Sequence, residues 1–170
     1  MSNDAGRQAP ELDPDAREWV ESFATVWEQT AASRVEGRVL GLLLICDAPY
    51  LSAADIARLL NASSGAVSTA TRSLTGAGFL QKHTVTGDRR HYFRADDDVW
   101  GSFLAGERSY LHRTMQILRD GLALDAGRRP GPRTRLRNAD RYMRWLEKYH
   151  RKMLDDWRAY RDTVDDEEDT

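Results

Sequence analysis

The chain reads as mainly α-helical with one small β-hairpin, an α+β class, on three observations. Apolar residues recur at three- and four-residue steps through most of its length. One run alone, FLQKHTVTGDRRHYFRA at 79–95, is instead rich in β-branched and aromatic residues and is split by Gly87-Asp88. Ser33, Ser52 and Ser63 each stand just ahead of a helical stretch, where a hydroxyl can satisfy free N–H groups.

Residues 1–13 are polar and acidic and are expected to be disordered. A first helix is expected over about 14–30, with Trp19, Val20, Phe23, Val26 and Trp27 on one stripe and the first two aromatics and Trp27 exposed. Ser33 opens SRVEGRVLGLLLICD, where Val35, Val39, Leu42, Leu43 and Cys46 follow the helical period. Leu40, Leu44 and Ile45 widen that stripe, which predicts a central helix. Gly37 and Gly41, four apart, cost helix propensity but would admit a close neighbour. Ala48-Pro49 ends the helix.

Ser52 and Asp55 form a near-match to a capping box before a short helix that ends near Asn61. Its inward side is Ala53, Ile56, Ala57 and Leu60. Ser63 then opens SSGAVSTATRSL (63–74). At helical spacing Val67, Ala70, Leu74 and Ala77 share one stripe of about 80°. Ser64, Gly65, Ser68, Thr69, Arg72 and Thr75 fall opposite, and Gly76 and Gly78 end the helix. After the hairpin, Asp96–Asp98 restarts a helix carrying Trp100, Phe103, Leu104, Leu111, Leu118 and Leu122. GRRPGP (127–132) reads as a loop. A final helix over about 134–162 carries Ala139, Tyr142, Leu146, Tyr149, Met153, Trp157 and Tyr160, and the acidic tail 163–170 is expected to be disordered.

The net charge of −2 conceals strong segregation. Net charge is −5 over residues 1–49, +4 over 50–95, −3 over 96–125, +8 over 126–161 and −6 over 162–170. Near-neutrality therefore does not argue against a nucleic-acid partner, because the basic charge is local. The single cysteine, Cys46, excludes an internal disulfide and fits a reducing cytosol; within LLLIC it reads as inert core. The polar N-terminus is no signal peptide, and the longest apolar run, 39–46, is too short to span a membrane. His83, His91, His112 and His150 lack metal-ligand spacing, so no metal and no cofactor are expected. The five tryptophans read as core or interface rather than as a cation cage. No catalytic set or phosphate loop is present, and no enzyme activity is expected.

The outer face of 63–74 is short of bulk, and helix propensity did not select it: Ser, Thr and Gly are poor helix formers beside Glu, Lys and Gln. A helix that enters a DNA major groove must bring its backbone close to base edges and phosphates. Small hydroxyls fit there, the helix N-terminus attracts a phosphate, and Arg72 is long enough for a bidentate contact. Arg89 and Arg90 at the hairpin tip would reach an adjacent groove or backbone. Two short helices followed by a basic-tipped hairpin make a winged helix-turn-helix. The expected DNA-contacting residues are Ser63, Ser64, Gly65, Ser68, Thr69, Arg72, Arg89 and Arg90.

This order of elements resembles the MarR superfamily of bacterial transcriptional regulators. The stretches GRVLGLLLICDAPYLSAADIARLLNASSGAVSTATRSL and GDRRHYFR look most like its GbsR branch. The resemblance implies that first and last helices pair two subunits over an inverted-repeat operator. It also implies that Asp88 supports the wing by bracing an arginine rather than by touching DNA. The aromatic stripes argue for the same homodimer on physical grounds, through Trp19, Phe23, Trp27, Tyr142, Leu146, Tyr149, Met153 and Trp157. The organisation expected is thus a dimerisation helix (14–32), a DNA-binding domain (33–95) and C-terminal dimerisation helices (96–162). The partners expected are double-stranded DNA with a pseudo-palindromic operator, a second copy of the chain and a small-molecule effector, with no membrane. Such a protein would be a cytoplasmic repressor, nucleoid-associated when bound. A winged-helix protein–protein adaptor and a non-specific DNA-architectural protein remain the alternatives.

Overall fold

A computed structural model of the 170-residue chain describes residues 11–30 and 32–168, and for 107–109 and 165–168 the backbone alone. Most of the expected disordered start, residues 1–10, and the last two residues of the acidic tail lie outside the described residues. The chain divides into two units, Met1–Val99 and Trp100–Thr170.

The first unit is built on a helix pair. Helix α1 (Pro14–Glu28) starts at Asp13, whose carboxylate accepts from the Ala16 N–H, with proline in the first turn where no N–H is needed. Helix α2 (Arg34–Ile45) opens with a full capping box: Ser33 accepts from the Glu36 N–H, and Glu36 accepts from the Ser33 N–H. The two helices approach closely at the glycines. A Cβ on Gly37 would lie 2.7 Å from the Ala24 Cα, and one on Gly41 would lie 3.1 Å from the Phe23 ring. That approach corrects one sequence expectation. Phe23 and Trp27 are half-buried against the same chain, and Trp27 meets Phe79 edge-on at 5.0 Å, so only Trp19 of the three aromatics is exposed.

Val39, Leu40 and Leu42 are fully buried, as a central helix requires, but the apolar run does not stay inside to its end. Leu44 and Ile45 are exposed, and Cys46 is half-exposed at the C-cap, because the helix finishes there and its last turn clears the core. Cys46 is therefore not a core residue.

Strand β1 (Leu51–Ser52) leads directly into helix α3 (Ala53–Leu59), capped by Ser52, and Ser63 caps helix α4 (Ser64–Ala77). Gly78 at φ 93 closes α4 in the left-handed conformation that favours glycine. Strands β2 (Gln81–His83) and β3 (Tyr92–Arg94) form the hairpin, and β1 adds to it in the antiparallel order β1-β3-β2. Leu51 faces Phe93, and Lys82 faces Phe93 from the other side. The hairpin strands are only three residues long, shorter than the β-rich run suggested, because residues 84–91 form a tip held by side chains rather than by a ladder.

The second unit holds helix α5 (Val99–Ala123, apart from its first residue), the single-turn α6 (Asp125–Arg128) and helix α7 (Pro130–Glu168). The 127–132 stretch is not a loop. Gly127 and Arg128 end α6, and Pro130-Gly131-Pro132 are the first turn of α7, a position proline tolerates. Gly127 is required: a Cβ there would lie 1.9 Å from the Gly121 carbonyl oxygen. Helix α7 also runs on through 163–168, beyond the expected end, because no proline or glycine between 133 and 168 stops it.

At 39 residues α7 is roughly 58 Å long. It lies beside α5, with His112 of α5 3.4 Å from Glu147 and Leu136 against Gly121, and Leu111, Met115, His150 and Leu154 are buried. The largely buried Asp140 lies between Arg144, at 2.7 Å, and Arg119 of α5, at 3.9 Å. Tyr142, Trp145, Tyr149, Met153 and Tyr160 of α7 are exposed.

Candidate nucleic-acid interface

Helices α3 and α4 are joined by the three residues Leu60, Asn61 and Ala62 before the cap Ser63, with Asn61 in the left-handed region at φ 47. On α4, Val67, Ala70 and Leu74 are buried. Ser63, Ser64, Gly65, Ser68, Thr69 and Arg72 are all exposed, which places the residues selected from sequence on one solvent-facing side. A Cβ on Gly65 would meet nothing within 4 Å, so the fold does not require glycine there. The Arg72 guanidinium lies 3.5 Å from the Ser68 hydroxyl one turn earlier and is otherwise extended into solvent.

Two threonines behave differently from the rest of the small face. Thr71 is buried and donates to the Val67 carbonyl at 2.9 Å. Thr75, expected outside, is half-buried with its hydroxyl oxygen enclosed. Their backbone and packing roles were hidden in the sequence by the hydroxyls they share with Ser68 and Thr69.

The hairpin tip is built around Asp88. Its carboxylate accepts from the Arg90 backbone N–H at 2.9 Å, from Arg90 Nε at 2.8 Å and from the Tyr92 hydroxyl at 2.7 Å. These bonds, led by the Arg90 guanidinium, hold the Asp88 carboxyl far below the usual carboxylate range. The same contact raises the Tyr92 phenol. A depressed carboxylate contributes its bond above its ordinary pKa and loses it only as pH falls through the lowered value, so the clasp is intact throughout the near-neutral range.

The clasp makes the two tip arginines unequal. Arg90 is pinned to Asp88 and lies over the Tyr92 ring at 5.3 Å, whereas Arg89 is exposed with no ion-pair partner among the described residues. Behind the tip, Tyr50 stacks on His83 at 4.2 Å and meets Tyr92 edge-on at 5.2 Å. Sequence reasoning missed Tyr50 and Tyr92 as wing supports. Tyr92, four residues after Asp88 in a hairpin, was the available signal; Tyr50 had none, since β1 was not predicted.

The family model described as the MarR family matches residues 36–92, from the start of α2 to the first residue of β3. The chain is also 40% identical over 120 residues to the HTH-type transcriptional regulator MmpR5 of Mycobacterium tuberculosis, covering 71% of this chain and 70% of that protein. This chain belongs to the MarR family. A solved structure described as a transcriptional regulator is similar over nearly its whole length, with a TM-score of 0.73 and 30% identity across 86% of this chain and 99% of that one. For a MarR-family chain, the α3–α4 pair with the β2–β3 wing is the winged helix-turn-helix that the sequence predicted.

Proposed function

We propose that this MarR-family regulator works as a homodimer that reads a pseudo-palindromic DNA operator and represses transcription until a small effector is bound. The observation that carries the proposal is the exposed, low-bulk face of α4, where only Arg72 is long. That face can seat close to base edges with its hydroxyls on phosphates, while Arg72 makes the base contact and Arg89 reaches beside it from the wing. Asp88 contributes by fixing Arg90 and the tip. The exposed aromatic stripe of α7 and Trp19 of α1 supply apolar surface for a second copy. Within the family, the stretches at 37–74 and 87–94 support the GbsR-like branch. Among the described residues no helix is long and apolar enough to cross a membrane.

The test is duplex binding by fluorescence anisotropy, with the protein's own upstream DNA against a shuffled control across a salt series. Wild type is expected to prefer the upstream fragment and to weaken steeply with salt. Arg72→Ala is expected to lose about 1–3 kcal/mol on the upstream fragment, removing much of the preference while leaving binding to the control nearly unchanged. Equal wild-type affinity for both duplexes would favour an architectural role. Absence of salt-dependent binding would favour a protein–protein adaptor.

A further inference from the structure

The seven-residue helix α3 ends with carbonyls that have no partner in their own helix. Two arginines from outside the helix-turn-helix reach them. Arg38 of α2 donates from Nη2 to the Leu60 carbonyl at 2.6 Å, and Arg17 of α1 donates from Nη1 to the Leu59 carbonyl at 3.0 Å. The other edge of the Arg38 guanidinium donates from Nε to Glu21 of α1 at 2.6 Å. Glu21 in turn accepts from Arg34 at 3.0 Å.

The position of this network matters. Immediately after Leu60 the backbone turns through Asn61 and reaches Ser63, the cap of α4, so the clamped carbonyls lie at the root of the recognition helix. A cation at a helix C-terminus is favoured by the helix dipole, and the planar guanidinium can hold two acceptors in fixed directions. Arg38 is mostly sheltered from solvent, which limits screening of its bonds. Burial pushes the Glu21 carboxyl up, but the bonds from Arg34 and Arg38 outweigh that and hold it below its ordinary value.

We propose that Arg17 and Arg38 are positioning residues for DNA recognition, holding the α3–α4 turn from α1 and α2, with Glu21 setting Arg38. The proposal rests on the DNA-reading role assigned to α4 above. A shift of α1 along α2 would then move the root of α4 directly, without passing through the apolar core.

The test compares wild type with Arg38→Met, Arg38→Lys and Glu21→Gln by two readouts. The first is amide hydrogen exchange over residues 61–67 in DNA-free protein, with α2 amides as the internal reference. The second is the ratio of affinities for upstream and shuffled duplexes. Arg38→Met is expected to speed exchange at 61–67 about tenfold and to lower the affinity ratio about tenfold, with α2 protection and the salt dependence on shuffled DNA unchanged. Arg38→Lys should recover part of both effects, and Glu21→Gln should show both in smaller measure. If Arg38→Met does not fold, Glu21→Gln carries the test.

Unchanged exchange at 61–67 in these variants overturns the proposal. So does faster exchange with the wild-type affinity ratio, because the turn would then be held without guiding recognition. A wild type that binds no duplex removes the DNA-reading role instead. In that case faster exchange still supports the clamp, and unchanged exchange removes it.

Discussion

Placing charge on the aromatic stripe of α7 is expected to split the proposed homodimer into monomers. Tyr142, Trp145, Tyr149, Met153 and Tyr160 are each about half exposed or more, and at helical spacing they share one side of α7. From Tyr142 to Tyr160 the stripe is roughly 27 Å long. Such a face is large enough to anchor an interface of ordinary size. Tyr149→Asp with Met153→Asp would bury two unpaired carboxylates in that interface, at a cost of several kcal/mol each. Both side chains are exposed within the chain, so helix content should not change. Sedimentation should show the mass fall by half. Operator affinity should drop on the order of 10²–10⁴-fold, since each half-site would then be bound without the help of the other. A double variant that stays dimeric, with wild-type affinity, would show that subunits pair through another face.

The second large effect is on stability. Gly37→Ala puts a Cβ 2.7 Å from the Ala24 Cα and 2.8 Å from the Trp27 Cβ. Neither atom is the end of a flexible side chain, so α1 itself must shift and pull Val20 and Ala24 out of register with the core. In an open helix position the same change would gain about 1 kcal/mol. Here a net loss of about 1–3 kcal/mol is expected, or roughly 2–12 °C in thermal midpoint. Gly76→Ala is the matched control, because a Cβ there meets nothing within 4 Å, and it should be neutral or stabilising. A Gly37→Ala protein as stable as wild type would mean that the α1–α2 approach is not a tight constraint.

Much of this molecule was legible from local chemistry. Ser33, Ser52 and Ser63 marked three helix starts because a cap is a short-range device, readable from one residue and the three that follow. The α4 face was legible for a related reason: helical spacing alone separates Val67, Ala70 and Leu74 from Ser64, Ser68 and Arg72. What escaped was set by long-range partners. Strand β1 is two residues long and exists only because β3, some forty residues later, offers an edge. Phe23 and Trp27 carried the pattern of an exposed stripe, and only the glycines facing them from α2 decide that they are half-buried. The roles of Arg17 and Arg38 were invisible for the same reason, since each reaches a backbone carbonyl 42 and 22 residues away respectively. The inequality of Arg89 and Arg90 is a matter of geometry at one turn, where neighbours of identical chemistry receive different partners.

The most direct test of the central claim is hydroxyl-radical footprinting of the wild-type protein on its own upstream DNA. Two copies of α4 reading a pseudo-palindrome should protect two stretches of related, inverted sequence on one side of the duplex, with centres about 34–36 Å or a multiple of that apart. Uniform protection without such a pair, or no protection even at low salt, would contradict the account.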